Sequence, residues 1–178
     1  NDDGWADGAD ITMYSTDLVN RSITAFLYTG DVKFRADGAW DNNWGGADFP
    51  AGAAVAGGDN IPVPADSTYY VIFTDGDEPM YTFTEVTSVG LIGSATPEGW
   101  DADQDMARSL DNPNLLTTTI DLTCGFEINF RAYDARYINW GGSEGNVVPG
   151  GDNIAVAEDG NYTITFNGAT LMYTVTKN

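Results

Sequence analysis

"YTITFNGATLMYTVT", Tyr162 to Thr176, is the stretch whose reading decides the fold. Tyr162-Thr-Ile-Thr-Phe166 and Leu171-Met-Tyr-Thr-Val-Thr176 alternate bulky apolar residues with threonine, the period-2 signature of a half-buried strand. Asn167-Gly-Ala-Thr170 between them is turn chemistry. The same alternation runs through Thr117–Thr123, Phe126–Ala132 and Tyr70–Phe73. Turn-forming clusters such as Asp111-Asn-Pro-Asn114 and Glu158-Asp-Gly-Asn161 separate these runs. No stretch holds a helical period between caps, so the chain reads as all-β.

Working outward from this hairpin exposes a repeat. "VKFRADGAWDNNWGG" (Val32 to Gly46) aligns with "INFRAYDARYINWGG" (Ile128 to Gly142), with Phe34 on Phe130 and Trp44 on Trp140. "GGDNI" follows both, at Gly57 and at Gly150. "STYYVIF" at Ser67 then matches "GNYTITF" at Gly160, and "MYTFTEV" at Met80 matches "MYTVTKN" at Met172. Gly4-Trp5 matches Gly99-Trp100 upstream. The period of about 95 residues is too long for a solenoid and suits a small β domain. Roughly six or seven short strands per repeat fit a sandwich of immunoglobulin size. The expectation is two tandem immunoglobulin-like antiparallel β-sandwich domains, residues 1–86 and 87–178.

Composition narrows function. The 178 residues carry 27 acidic and 7 basic side chains, a formal net charge of −20. Such a chain repels nucleic acid and anionic membranes. Histidine is absent, which removes the commonest general base and zinc ligand. The single cysteine, Cys124, forms no internal disulfide and is expected to be a small buried hydrophobe within a strand. No apolar run approaches the roughly 20 residues of a membrane-spanning helix.

The acids form no cleft motif shared by both repeats, so no catalytic carboxylate pair is assigned. "DADQD" (Asp101 to Asp105) alternates carboxylates, as hard cations favour. It lacks the glycine and distant glutamate of a calcium loop, so a solvated acidic loop is expected and no metal or cofactor is assigned. Arg35 and Arg131 follow an inward phenylalanine in each repeat and are expected in ion pairs.

The aromatic residues remain. A tryptophan at the same address in both repeats reads first as a packing residue, and Trp5 and Trp100 are read so. Trp44 and Trp140 keep both readings, core ring or sugar platform. An aromatic that differs between repeats is a better site candidate, because packing does not demand it. That points to Trp40 with Lys33 and Asn42 in the first repeat, and to Tyr133, Arg136 and Tyr137 in the second. These rings offer faces for sugar C–H groups, and the neighbouring side chains offer hydrogen bonds to hydroxyls.

"GLIGSATPEGWDAD" followed by "FRAYDARYINWGG", "GGDNIAV", "GNYTITF" and "YTVTKN" resembles the tandem modules of the SusE/SusF family, surface starch-binding lipoproteins of Bacteroidetes. "FRADGAWDNNWGG" carries the resemblance into the first repeat. It implies non-catalytic α-glucan binding through stacked aromatics with a Lys or Arg, on the outer face of the outer membrane or secreted. It also implies polysaccharide or oligosaccharide partners, self-association or contact with other outer-membrane glycan-uptake proteins. The competing expectation is a structural subunit of a filament or lattice, assembled by β-strand complementation in trans. It arises because Val89 to Gly93 reads as a first strand before Trp100, while the counterpart of that strand would fall before Asn1; simple truncation of the sequence is the main rival to completion in trans.

Overall fold

The alternation between Tyr162 and Thr176 folds as a hairpin in the computed structural model, which describes residues 5, 10–15, 17–132 and 138–178. Ile164 opposes Val175 and Phe166 opposes Tyr173, and Tyr162, Ile164 and Phe166 are the buried members of their strand. The chain divides into two compact units, Asn1–Glu85 and Val86–Asn178.

Unit 2 contains β11 (Val89–Ile92), β12 (Gln104–Asp105), β13 (Ala107–Arg108), β14 (Leu115–Leu122) and β15 (Glu127–Ala132). It continues with β16 (Asn139–Ser143), β17 (Asn146–Pro149), β18 (Ile154–Ala155), β19 (Gly160–Asn167) and β20 (Met172–Lys177). The strands pair antiparallel in the order β12-β11-β15-β16-β17-β20-β19-β14-β13, with β18 against β15. One register pair, Asn146 with Met172, joins β17 to β20 and so joins two layers. The layers meet through rings: Phe130 stacks on Phe166 at 4.8 Å, and Trp140 tilts onto Phe166 at 5.3 Å. Both phenylalanines and Trp140 are wholly buried, so this aromatic triad is the centre of the core.

Unit 1 contains β1 (Tyr14–Ser15), β2 (Asn20–Leu27), β3 (Gly30–Val32), β4 (Phe34–Arg35) and β5 (Asn43–Gly45). It continues with β6 (Ala51–Ala53), β7 (Val55–Ala56), β8 (Ile61–Val63), β9 (Ser67–Thr74) and β10 (Met80–Glu85). One layer runs β1-β2-β9-β10-β6, the facing one β4-β5-β7, and β3 pairs with β8. Phe34 meets Phe73 at 5.0 Å and Trp44 meets the same ring at 5.7 Å, the counterpart of the unit 2 triad. The path of β17 is split here into β6 and β7 around the buried Ala54.

The repeated words of the sequence are one packing device. A Cβ on Gly141 would lie 2.2 Å from the Asp152 carbonyl oxygen, and a Cβ on Gly45 would lie 2.0 Å from that of Asp59. The NWGG glycine is therefore the seat of the GGDNI loop in both units, and neither motif serves without the other. A second repeated device ties the start of the long strand: the Tyr69 hydroxyl donates to the Ala65 carbonyl at 3.1 Å, and the Tyr162 hydroxyl to that of Glu158 at 2.8 Å.

Cys124 departs from expectation. It is exposed, in the turn between β14 and β15, where Thr123 to Phe126 interrupts the apparent strand. Its backbone N–H donates to Asp159 Oδ1 at 2.7 Å. The turn places Cys124 here because the Asp159 carboxylate caps it, and hydrophobic burial has no part. A hydrogen bond to Asp159 and that group's negative charge raise the thiol above its ordinary range. Alkylation at mildly alkaline pH should therefore be slow for an exposed thiol. Replacing the carboxylate, Asp159→Ala, should speed it several-fold. Equal rates in a timed maleimide reaction would show that the carboxylate does not govern the thiol.

Candidate functional site

A strand, a turn and an ion pair build a candidate cleft in unit 1. β4 carries Phe34 inward, onto Phe73, so strand alternation turns Arg35 to the other side. The turn from Ala36 to Asn42 then closes on its own backbone. Ala36 N–H donates to the Asn42 carbonyl, and Ala39 N–H to that of Ala36. Asp37 and Gly38 take positive φ values of 56° and 65°, which bends the chain back. The bend delivers the Trp40 ring to the side of Arg35. The guanidinium carbon lies 4.7 Å from the ring centroid, a cation–π contact.

Trp5 completes the aromatic pair, with its centroid 5.6 Å from that of Trp40 and the planes inclined at 60°. Both rings are well exposed, at 46% and 41%. Arg35 Nε donates to Asp10 at 2.8 and 3.0 Å, which fixes the guanidinium over the ring. The cleft behind them measures about 500 Å³. Three of the chain's seven basic residues, Arg21, Lys33 and Arg35, line it. Four aspartates, Asp10, Asp31, Asp37 and Asp75, line it as well, and Arg21 and Arg35 are ion-paired with Asp75 and Asp10. Lys33 Nζ donates to Asn43 Oδ1 at 2.9 Å, and Asn43 Nδ2 donates to the Trp40 carbonyl, so a short relay ties the base of the turn.

Trp40, Lys33 and Trp44 all line this cleft. Trp44 is half-buried, its edge on Phe73, and contributes wall more than platform. Asn42 is exposed and is not among the lining residues; its carbonyl is used to close the turn. Trp140 corrects one of its two readings. Its ring is wholly buried against Phe166 and offers no face to a sugar. Tyr133, Arg136 and Tyr137 lie outside the described residues.

Trp5 was read from the sequence as packing because Trp100 repeats it. Both rings are exposed, so repetition here does not mark the core. The signal that marks Trp5 is its closeness in sequence to Asp10, the partner of Arg35. That signal is hidden because the spacing between tryptophan and aspartate differs: four residues separate Trp5 from Asp10, two separate Trp100 from Asp103.

The two repeated arginines are both in ion pairs, in different settings. Arg131 donates to Asp103 at 3.0 Å with both side chains buried, whereas the Asp10 side chain is 47% exposed. The acidic DADQD loop thus spends Asp103 inside the fold. Among the described residues no group of three or more acids, cysteines or histidines is placed to hold a metal ion.

Removing one member of a buried pair strands a charge, so Asp103→Asn should destabilise by about 3–5 kcal/mol. Asp10→Asn should cost about 1 kcal/mol or less, because water screens that pair. Chemical denaturation of the full chain measures both. Equal costs would show that the two pairs share one environment.

No protein-family model matches the chain, and no curated protein matches it in sequence. Among solved structures, the crystal structure of SusF from Bacteroides thetaiotaomicron is similar, with a TM-score of 0.60 and 17% identity. The similarity covers 88% of this chain and 40% of that one, so the chain spans less than half of its neighbour's length. At this identity the likeness is one of fold.

Proposed function

We propose that this chain is a non-catalytic glycan-binding protein built from immunoglobulin-like β-sandwich modules, with its site at the mouth of the unit 1 cleft. The carrying observation is the exposed Trp5–Trp40 pair locked beside Arg35 and Asp10. Two inclined tryptophan faces accept successive sugar rings, whose axial C–H groups pack on π-surfaces. The guanidinium and carboxylate supply a donor and an acceptor for ring hydroxyls beside those faces. Ligand hydroxyls fit such a site because the polar partners are fixed before binding, which lowers the ordering cost.

The SusE/SusF resemblance in the sequence supports the glycan class and names α-glucan as the first polysaccharide to try. The SusF likeness supports the all-β fold on which the proposed site sits. The tyrosine tie to a carbonyl four residues upstream, present in both units, is a device of immunoglobulin-like sandwiches and supports that part of the proposal. The same resemblance supports placement on the outer cell surface, where polymeric glycans are met. Binding without cleavage is proposed because that is what the SusE/SusF resemblance implies.

Affinity electrophoresis against a panel of polysaccharides, starch first, tests the proposal. At least one should retard the chain. Trp40→Ala should weaken retention by about 1–3 kcal/mol, the usual cost of deleting one stacking ring from a nucleic-acid base site. It should leave thermal stability close to that of the parent. Retention by no polysaccharide, or a Trp40→Ala chain that is retained as before, would overturn the proposal.

A further inference from the structure

The Trp40 ring stands on a turn that needs holding. Between Ala36 and Asn42 the chain reverses through Asp37 and Gly38, both in the left-handed region at φ 56° and 65°. Glycine takes that region freely and aspartate at a cost, and a strained turn keeps one shape only where its surroundings fix it. Backbone bonds from Ala36 to Asn42 and from Ala39 to Ala36 close the loop on itself, but neither reaches Trp40. One tie to that residue is the Arg35 guanidinium beside its ring. The other runs through two side chains.

Lys33 and Arg35 lie two positions apart in extended chain, so their side chains leave on the same side. Arg35 opposes Asn43 of β5 and spends its guanidinium on Asp10 and the Trp40 ring. The stem of Lys33 passes over Gly45, where a Cβ would lie 3.1 Å from Lys33 Cε, and its ammonium donates to Asn43 Oδ1 at 2.9 Å. The other half of that amide donates from Nδ2 to the Trp40 carbonyl at 2.6 Å. An ammonium only donates and a carbonyl only accepts, so the two ends admit a single orientation of the Asn43 amide. The asparagine opens NWGG in both units, as Asn43 and Asn139, whereas the lysine is particular to unit 1. In unit 2 its place is taken by Asn129, which sends its Nδ2 to Asn153 of the GGDNI loop at 3.1 Å. The same unit aligns Arg136 with Trp40. The tryptophan and the cation that orients the amide behind it therefore occur together, in unit 1.

We propose that Lys33 and Asn43 are positioning residues for the Trp40 platform. The ammonium orients the amide, the amide holds the Trp40 carbonyl, and the ring is presented in one pose. What the ring then binds rests on the glycan reading above; the relay itself belongs to the free protein. Lys33 acts here through Asn43, with no contact to a sugar required. Asn43 passes unmarked in the sequence because it repeats. A ring fixed in advance lowers the ordering cost of binding, so loosening it weakens affinity without deleting a contact.

The test uses the full chain with Asn43→Asp and Lys33→Met. Asn43→Asp keeps the shape and an acceptor for Lys33 but removes the donor to the Trp40 carbonyl. Lys33→Met keeps an apolar stem over Gly45 and removes the ammonium. The heteronuclear NOE of each of the five tryptophan indole N–H groups is measured, that of Trp40 being identified by its loss in Trp40→Ala. Retention by a polysaccharide that retards the parent is measured alongside. Both variants should lower the NOE of Trp40, leave that of Trp44 at the parent value, and lose retention several-fold. An unchanged NOE at Trp40 would overturn the proposal. So would an equal fall at Trp40 and Trp44, because Asn43 would then brace the strand and not the ring. Lost retention with Trp40 as rigid as in the parent would overturn it too, by showing that the two side chains meet the glycan directly. Asn43→Asp decides the matter alone where Lys33→Met does not fold. If no polysaccharide retards the parent, the glycan reading fails, and the indole measurement still decides the relay.

Discussion

A backbone carbonyl pressed against a glycine sets the plan of each unit. The Asp152 oxygen occupies the space a side chain on Gly141 would need, and the Asp59 oxygen does the same at Gly45. The contact brings the GGDNI loop down onto the strand that carries the central tryptophan. From there the order of elements follows. The loop leads into the short β18 or β8, whose Ile154 or Ile61 is buried, and then into the long strand that holds Phe166 or Phe73 against the opposite layer. Any side chain at that glycine separates loop from strand and opens the core, since interiors packed at crystal-like density have no slack to absorb it. The repeated words of the sequence survive in both units because they are two halves of a single contact.

The Arg–Asp pair is the second shared element, and its cover decides what it does. Burying two charges is repaid only by close geometry and further partners, so the Arg131–Asp103 pair under β11 is a structural group with nothing left to offer a ligand. The pair in unit 1 is similar in length, 2.8 Å against 3.0 Å, and has an open carboxylate. There the guanidinium also lies over Trp40, and the charge that holds the turn in place is presented to solvent beside two aromatic faces. One motif thus yields a core brace in one unit and a solvent-facing pair in the other.

Much of the fold was legible because strand alternation and repetition are local, additive signals. The hairpin from Tyr162 to Thr176, the all-β class and the ion-pairing of Arg35 and Arg131 all follow from period and register. Cys124 was misread because the run Ile120 to Phe130 looks continuous in hydropathy. The break at Thr123 to Phe126 is set by Asp159, 35 residues away, which no local pattern reports. The site was legible only in part. Trp40 stood out as a departure between repeats. Trp5 did not, because its role depends on the Asp10–Arg35 link across the sheet and because a two-residue difference in loop length hides the match of Asp10 to Asp103. Trp140 and Trp44 occupy one address yet differ in burial, since the rings around them differ: Trp140 is sealed under Phe130 and Phe166, whereas Trp44 borders a cleft.

Repetition within a chain is therefore a guide to scaffold, and departures from it are a guide to chemistry, with one qualification that this molecule makes concrete. A residue conserved between the two units is free to change its role if its cover changes. Gly90 exists to let a strand pass over a buried carboxylate, and its presence explains why Asp103 is inert. The same carboxylate in unit 1, with no strand crossing it among the described residues, sits at the junction of an aromatic mouth and an apolar floor. Three basic residues and four aspartates line the cleft at that junction, so its charges are mixed while the chain as a whole is strongly acidic. Long-range repulsion from such a surface disfavours anions and most acidic proteins. The tryptophan faces and the open carboxylate lie at the rim of the cleft and the apolar side chains at its floor, so the two parts of the cleft differ in chemistry.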